Sequence, residues 1–78
     1  MSNTELIEYI VKSLVDHPEG VELREIDGEK STIIELRVSK DDIGKVIGKH
    51  GRIARAIRTI NSAAATKTGR KVVLEILD

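Results

Sequence analysis

Cysteine, tryptophan and phenylalanine are absent from this chain, proline occurs once, and Tyr9 is the only aromatic residue. The lack of cysteine excludes disulfides, thiolate metal sites and thiol catalysis. The near-absence of aromatics removes the stacking platforms on which many single-strand binders rely. Tyr9 alone, on the polar side of its segment, reads as a packing or rim residue. No apolar run approaches the length of a membrane span. The N-terminus has neither the basic segment nor the apolar core of an export signal, so the expected location is the cytoplasm, with no membrane partner. At 78 residues the chain is expected to form one domain over residues 1–78. A domain of that size buries only about 60% of the surface of its unfolded chain, so contacts with partners carry weight.

Basic and acidic residues balance, 13 against 13, and a net charge of zero argues at first against a polyanionic ligand. The distribution argues the other way. Residues 43–71 hold eight basic side chains (Lys45, Lys49, Arg52, Arg55, Arg58, Lys67, Arg70 and Lys71) and no acidic one, whereas the rest of the chain holds five basic and thirteen acidic residues. A solvated helix face normally mixes the two signs. A stretch free of carboxylates is what steers a polyanion to one side of a molecule.

Within that stretch Gly48 and Gly51 bracket Lys49 and His50, with Ile43, Val46 and Ile47 before them and a helical pattern from Arg52 onward. Glycine admits a positive φ and lets a ligand approach the backbone. Two glycines around two basic residues, opening onto a helix N-terminus, make a pocket of N–H donors with positive charge on its lip, which suits phosphate. Other glycine-rich motifs do not fit. A P-loop requires four residues between its glycines, then Lys and Ser or Thr; only three separate Gly44 from Gly48, and His50 stands where the hydroxyl belongs. A dinucleotide fingerprint requires Gly-x-Gly-x-x-Gly, and Val46 occupies the position of its first glycine. The alternative is a plain helix-turn-helix corner in which the glycines serve only the turn.

The flanking chain reads as regular structure. Ser2 and Glu5 form a capping box for a first helix, whose apolar face comprises Leu6, Ile7, Ile10, Val11, Leu14 and Val15. His17 before Pro18, then Gly20, stops it. Residues 21–26 alternate weakly as a strand, Asp27 and Gly28 make a turn, and residues 32–38 alternate clearly, with Ile34, Leu36 and Val38 on one side and Glu35 and Arg37 on the other. Ser39 or Asp41 is expected to cap a short helix over residues 41–47, with Asp42 favouring its positive end. A long helix over residues 52–67 is expected to bury Ile53, Ile57, Ile60 and Ala64 and to expose Arg55 and Arg58. Gly69 ends it, and residues 71–77 close the chain as a strand with Val72, Leu74 and Ile76 inward. The order is α-β-β-α-α-β, an α+β fold.

The segment Ile47-Gly48-Lys49-His50-Gly51, followed by Ile53 and Ile57 at helical spacing, resembles the GxxG loop of KH domains, a family of single-stranded RNA and DNA binders. Gly44 matches a small residue common before that loop. Placing the extra helix and strand ahead of the β-α-α-β unit resembles the type II form over the whole chain, which implies a three-stranded sheet with helices packed on one face. More narrowly, a chain of this length ending soon after its last strand resembles the KhpA family of small bacterial single-KH proteins. That resemblance implies a cytoplasmic protein acting in RNA-level regulation, as a homodimer or as a heterodimer with a larger Jag-type KH protein.

The resemblance also implies a groove for about four nucleotides between the two helices, the loop and the sheet edge. The backbone of Gly48, Lys49, His50 and Gly51 would meet a sugar-phosphate segment. Lys49 would supply charge, Arg52 and Arg55 would extend it, and Lys45 would flank it. Ile43, Gly44 and Ile47 would line an apolar floor, with base edges read by the strand over residues 34–38. Single-stranded RNA is the expected ligand, and single-stranded DNA a competitor for the same groove. His50 departs from the Gly or Lys often found at its position, and its protonation toward about pH 6 is expected to tighten binding modestly. No cofactor or metal is expected. Neither histidine falls beside a Ser, Asp or Glu arrangement that would serve an enzyme. A different reading keeps the fold for dimerisation or docking with nucleic acid incidental, which the acidic N-terminal half and the neutral net charge support.

Overall fold

The computed structural model describes residues 1–78. Helix α1 (Asn3–Leu14) begins at a complete capping box, in which the Ser2 hydroxyl accepts from the Glu5 N–H and the Glu5 carboxylate accepts from the Ser2 N–H. That second bond, above all, holds the Glu5 carboxyl below its ordinary value. Ile7 and Val11 are fully buried and Tyr9 is exposed, as the helical period dictates. After a short turn at Pro18–Gly20, strand β1 (Glu22–Asp27) pairs antiparallel with β2 (Ser31–Arg37), with Glu22 opposite Arg37 and Asp27 opposite Thr32.

A single turn at Lys40–Asp42 leads into the short helix α2 (Ile43–Ile47), the turn Lys49–Gly51 and the long helix α3 (Arg52–Thr66). Strand β3 (Lys71–Leu77) then returns parallel to β2, giving the sheet order β1-β2-β3. Parallel pairing requires a crossover, which α2 and α3 supply. The core joins Ile34, Leu36, Val38 and Leu74 of the sheet side to Ile7, Val11, Val46 and Ile57 of the helices. The alternate β2 positions Ile33, Glu35 and Arg37 lie on the other, uncovered face, so the helices occupy one side only. No helix is long and apolar enough to cross a membrane.

Two expectations are corrected. The buried face of α3 is Ala54, Ile57, Asn61 and Ala65, and Ile60 is 45% exposed. Small alanines let α3 lie close against β3, and Asn61 can be buried because both its amide nitrogen and its amide oxygen are hydrogen-bonded. Its Nδ2 donates to the Val72 carbonyl at 2.9 Å and its Oδ1 accepts from Asn3 Nδ2 at 2.7 Å. The start of α2 is the second correction, since neither Ser39 nor Asp41 caps it with a side-chain bond, and Asp42, expected to favour its positive end, turns inward instead. The Asp42 carboxylate is fully buried and accepts from the N–H groups of Asp16 (3.2 Å) and His17 (2.9 Å), pinning the link between α1 and β1. Burial alone would push this carboxyl up. The two amide bonds, with His17 and Lys45 nearby, outweigh it and hold Asp42 below the usual carboxylate range.

Candidate nucleic-acid interface

The glycine loop departs from helix at three residues, Gly48, His50 and Gly51. Gly48 closes α2 by donating its N–H to the Gly44 carbonyl at 2.9 Å, then turns out at φ 76 and ψ 171, a region open essentially to glycine. His50 (φ 57, ψ 24) and Gly51 (φ 72, ψ 16) are left-handed in succession, and α3 starts at once from Arg52. The Gly51 N–H donates to the Gly48 carbonyl at 3.1 Å, and the Arg52 N–H to the Lys49 carbonyl, so the turn is closed by its own amides. His50 is the one non-glycine residue of the chain with positive φ, a conformation that costs about 1–2 kcal/mol. Beneath the loop lies Ile53, whose side chain fills the space a Cβ on Gly48 would need.

Lys49, His50, Arg52 and Arg55 are all exposed around this turn, and none of them forms an ion pair. Arg55 folds back so that its Nη1 lies 3.4 Å from where a Gly51 Cβ would stand. Ile43 and Ile47 are half-buried, and Ile43 also packs against the core. Gly44 is exposed, with nothing within 4 Å of a Cβ built on it. Lys45 is differently placed from the other cations. Its Nζ lies 3.2 Å from Asp16 Oδ2 and 3.8 Å from Asp42 Oδ1. The Asp16 bond chiefly raises its pKa above the ordinary lysine value, and its charge is largely offset locally. The field at the loop therefore comes from Lys49, Arg52 and Arg55.

Beyond the loop, Arg55, Arg58 and Ser62 continue along one flank of α3 at helical spacing, and Arg58 and Ser62 line its junction with β3. A shallow depression of about 410 Å³ at Arg55, Arg58, Thr59 and Ser62 leads toward a cavity of about 570 Å³ between α3 and β3. Arg58, Arg70 and Lys71 line that cavity and no carboxylate does. β3 is an edge strand, so the amides on its outer side have no strand partner. The expectation that residues 34–38 read base edges is thereby corrected. β2 is paired on both sides and Ile34, Leu36 and Val38 are buried, which leaves it no free backbone to offer. The available edge belongs to β3. Arg58, Arg70 and Lys71 were absent from the expected site, although the acid-free stretch already ran through all three.

Comparison with known proteins gives a consistent set of relatives. The family model described as KhpA/KhpB, KH domain, matches residues 4–76. The chain is 68% identical to the RNA-binding protein KhpA of Borreliella burgdorferi over 95% of its own length and 90% of that protein. Its identity to the RNA-binding protein KhpA of Clostridium perfringens is 62%, over 94% of this chain and 97% of the other. Among solved structures, Era in complex with MgGDPNP and nucleotides 1506–1542 of 16S ribosomal RNA shares the fold, with a TM-score of 0.64 at 20% identity, over 95% of this chain and 28% of Era.

Proposed function

Because the chain belongs to the KhpA/KhpB KH-domain family, we propose that it binds single-stranded RNA in a groove running from residues 48–51 along α3 to the free edge of β3. The observation that carries this reading is the loop itself: a backbone held in glycine conformations, with three unpaired cations, Lys49, Arg52 and Arg55, around it. A sugar-phosphate segment follows Gly48, Lys49, His50 and Gly51, steered by Lys49, Arg52 and Arg55. Bases lie flat over Gly44, Ile43 and Ile47 with their edges toward β3, without aromatic stacking. Lys45 contributes through its place beneath the groove, its charge already shared with Asp16 and Asp42. The work is binding, in the cytoplasm, and single-stranded DNA competes through the same phosphate contacts.

About two to four phosphate contacts give a slope of log K against log salt of roughly −1.5 to −3, hence weak binding by one copy. A dimer offsets that through avidity. Ile60 supports self-association, since it is exposed on the flank of α3 away from Arg55, Arg58 and Ser62, so pairing there leaves the groove open. The same face would serve a larger KH partner of the Jag type. The test is an RNA gel shift of the double variant Lys49→Asp, His50→Asp, with circular dichroism to show that it is folded. Loss of the shift is expected, and a folded double variant that binds RNA like the parent overturns the proposal.

A further inference from the structure

We infer that the α3–β3 end of the groove selects acceptor-rich bases, guanine first, and that Arg58 is the residue that reads them. This rests on the RNA-binding reading above and goes on to the identity of the base. An unsatisfied strand edge offers donors and acceptors alternately, and so favours no class of base. Here two of the outward acceptors are engaged. The Val72 carbonyl is taken by Asn61 Nδ2 at 2.9 Å and the Leu74 carbonyl by Arg58 Nε at 3.4 Å. Asn61 is itself spent, its Oδ1 accepting from Asn3 Nδ2. The Ser62 carbonyl is likewise engaged, by the Thr66 hydroxyl at 3.0 Å, which leaves the Thr66 and Ser62 hydroxyl oxygens as acceptors on the helix side. No carboxylate lines the cavity, and its charged groups, Arg58, Arg70 and Lys71, have only donors to give.

With the Val72 and Leu74 carbonyls engaged, the adenine amino group finds fewer acceptors along β3 than an unsatisfied edge would give it, and a polar group left unpaired costs more than a missing contact gains. Guanine presents N7 and O6 side by side on one edge, the pair that an arginine fork meets with two parallel bonds. Arg58 keeps both terminal nitrogens free for that, because only its Nε is engaged with Leu74. The Leu74 bond sets the plane of the guanidinium over the groove, which a lysine at this position cannot reproduce. Arg70 is less available, since one of its terminal nitrogens already bonds the Gly28 carbonyl and the Thr32 hydroxyl, both at 3.1 Å.

The test is fluorescence anisotropy of the full chain with labelled hexamers of alternating G and U or alternating A and U at fixed salt. The G/U hexamer is expected to bind at least about fivefold more tightly. Replacing its guanine with 7-deazaguanine, which lacks the N7 acceptor, should erase the advantage, whereas inosine, which keeps N7 and O6, should retain it. Arg58→Lys should bring the G/U and A/U affinities together. Equal affinities in the parent chain, or a guanine preference that survives Arg58→Lys, overturn the inference while leaving RNA binding in place. Failure of both hexamers to bind overturns the RNA-binding reading, and this one with it.

Discussion

A Cβ placed on Gly48 would stand 2.6 Å from Cγ1 of Ile53, the residue on which the loop rests. Backbone angle and space thus both demand glycine at this position, and the two demands have different sources. The angle comes from the turn out of α2, and the space from the first turn of α3. Gly48→Ala is expected to cost about 2–4 kcal/mol through strain and overpacking together, read as a lower urea midpoint. Gly51→Ala, whose Cβ meets only the mobile end of Arg55 at 3.4 Å, should cost about 1–2 kcal/mol. Equal costs at the two sites would show that the Ile53 contact is unimportant. Binding is therefore better probed through the side chains of Lys49 and His50 than through either glycine.

Gly44 is the converse case. It lies within α2, exposed, with open space where its side chain would be, so nothing in the free protein requires glycine. Gly44→Ala should raise stability by about 0.5–1 kcal/mol by stiffening the helix. Gly44→Leu should leave the chain folded and weaken RNA binding more than fivefold, because its side chain would stand where a base lies. If Gly44→Leu binds RNA normally, the groove does not pass over α2.

Asp42 gives the fold an acid limit. Its folded pKa is held below the ordinary carboxylate value, so its contribution is present above the unfolded value of about 3.9 and is lost as pH falls through the folded one. Glu5 adds to the same loss. Lys45 has the opposite sign. Its pKa is raised, so its contribution is present below about 10.4 and is lost as pH rises through the folded value. Asp42→Asn should lower the urea midpoint at neutral pH and flatten its decline below about pH 4. An unchanged acid limb in this variant would place the acid sensitivity elsewhere.

Ile60 is the one large apolar residue that α3 leaves on the surface. Ile60→Asp should shift the chain toward monomer in light scattering coupled to gel filtration, with circular dichroism showing that it remains folded. Parent and variant running at the same mass would remove this face from the account of self-association.

The elements were largely legible in the sequence because each carries its own local cause. The Ser2 and Glu5 box starts α1, the Asp27 and Gly28 turn joins β1 to β2, and the alternation around Ile34 and Leu36 marks a strand buried on one face. The glycine loop was legible because its conformations need particular residues. Three features were not. Periodicity weighs side-chain size and so places Ile60 in the core, whereas the packing of α3 is set by Ala54, Ala65 and a hydrogen-bonded Asn61. Asp42 reads as a helix-terminus acid, and its partners in the Asp16 and His17 backbone lie 26 and 25 residues away in sequence. Alternation alone points to β2 as the edge beside the groove, because whether a strand is central or at an edge depends on the crossover that brings β3 alongside it. All three are non-local facts, settled only when distant segments meet.

RNA in the proposed groove lies along the loop, α3 and the free edge of β3. Amide chemical-shift mapping by NMR during titration with a single-stranded RNA hexamer tests it most directly. The largest shifts are expected at Gly44, at residues 48–52 and along residues 72–76. Shifts confined to Ile33, Glu35 and Arg37 on the open face of the sheet, with the glycine loop unmoved, would contradict it.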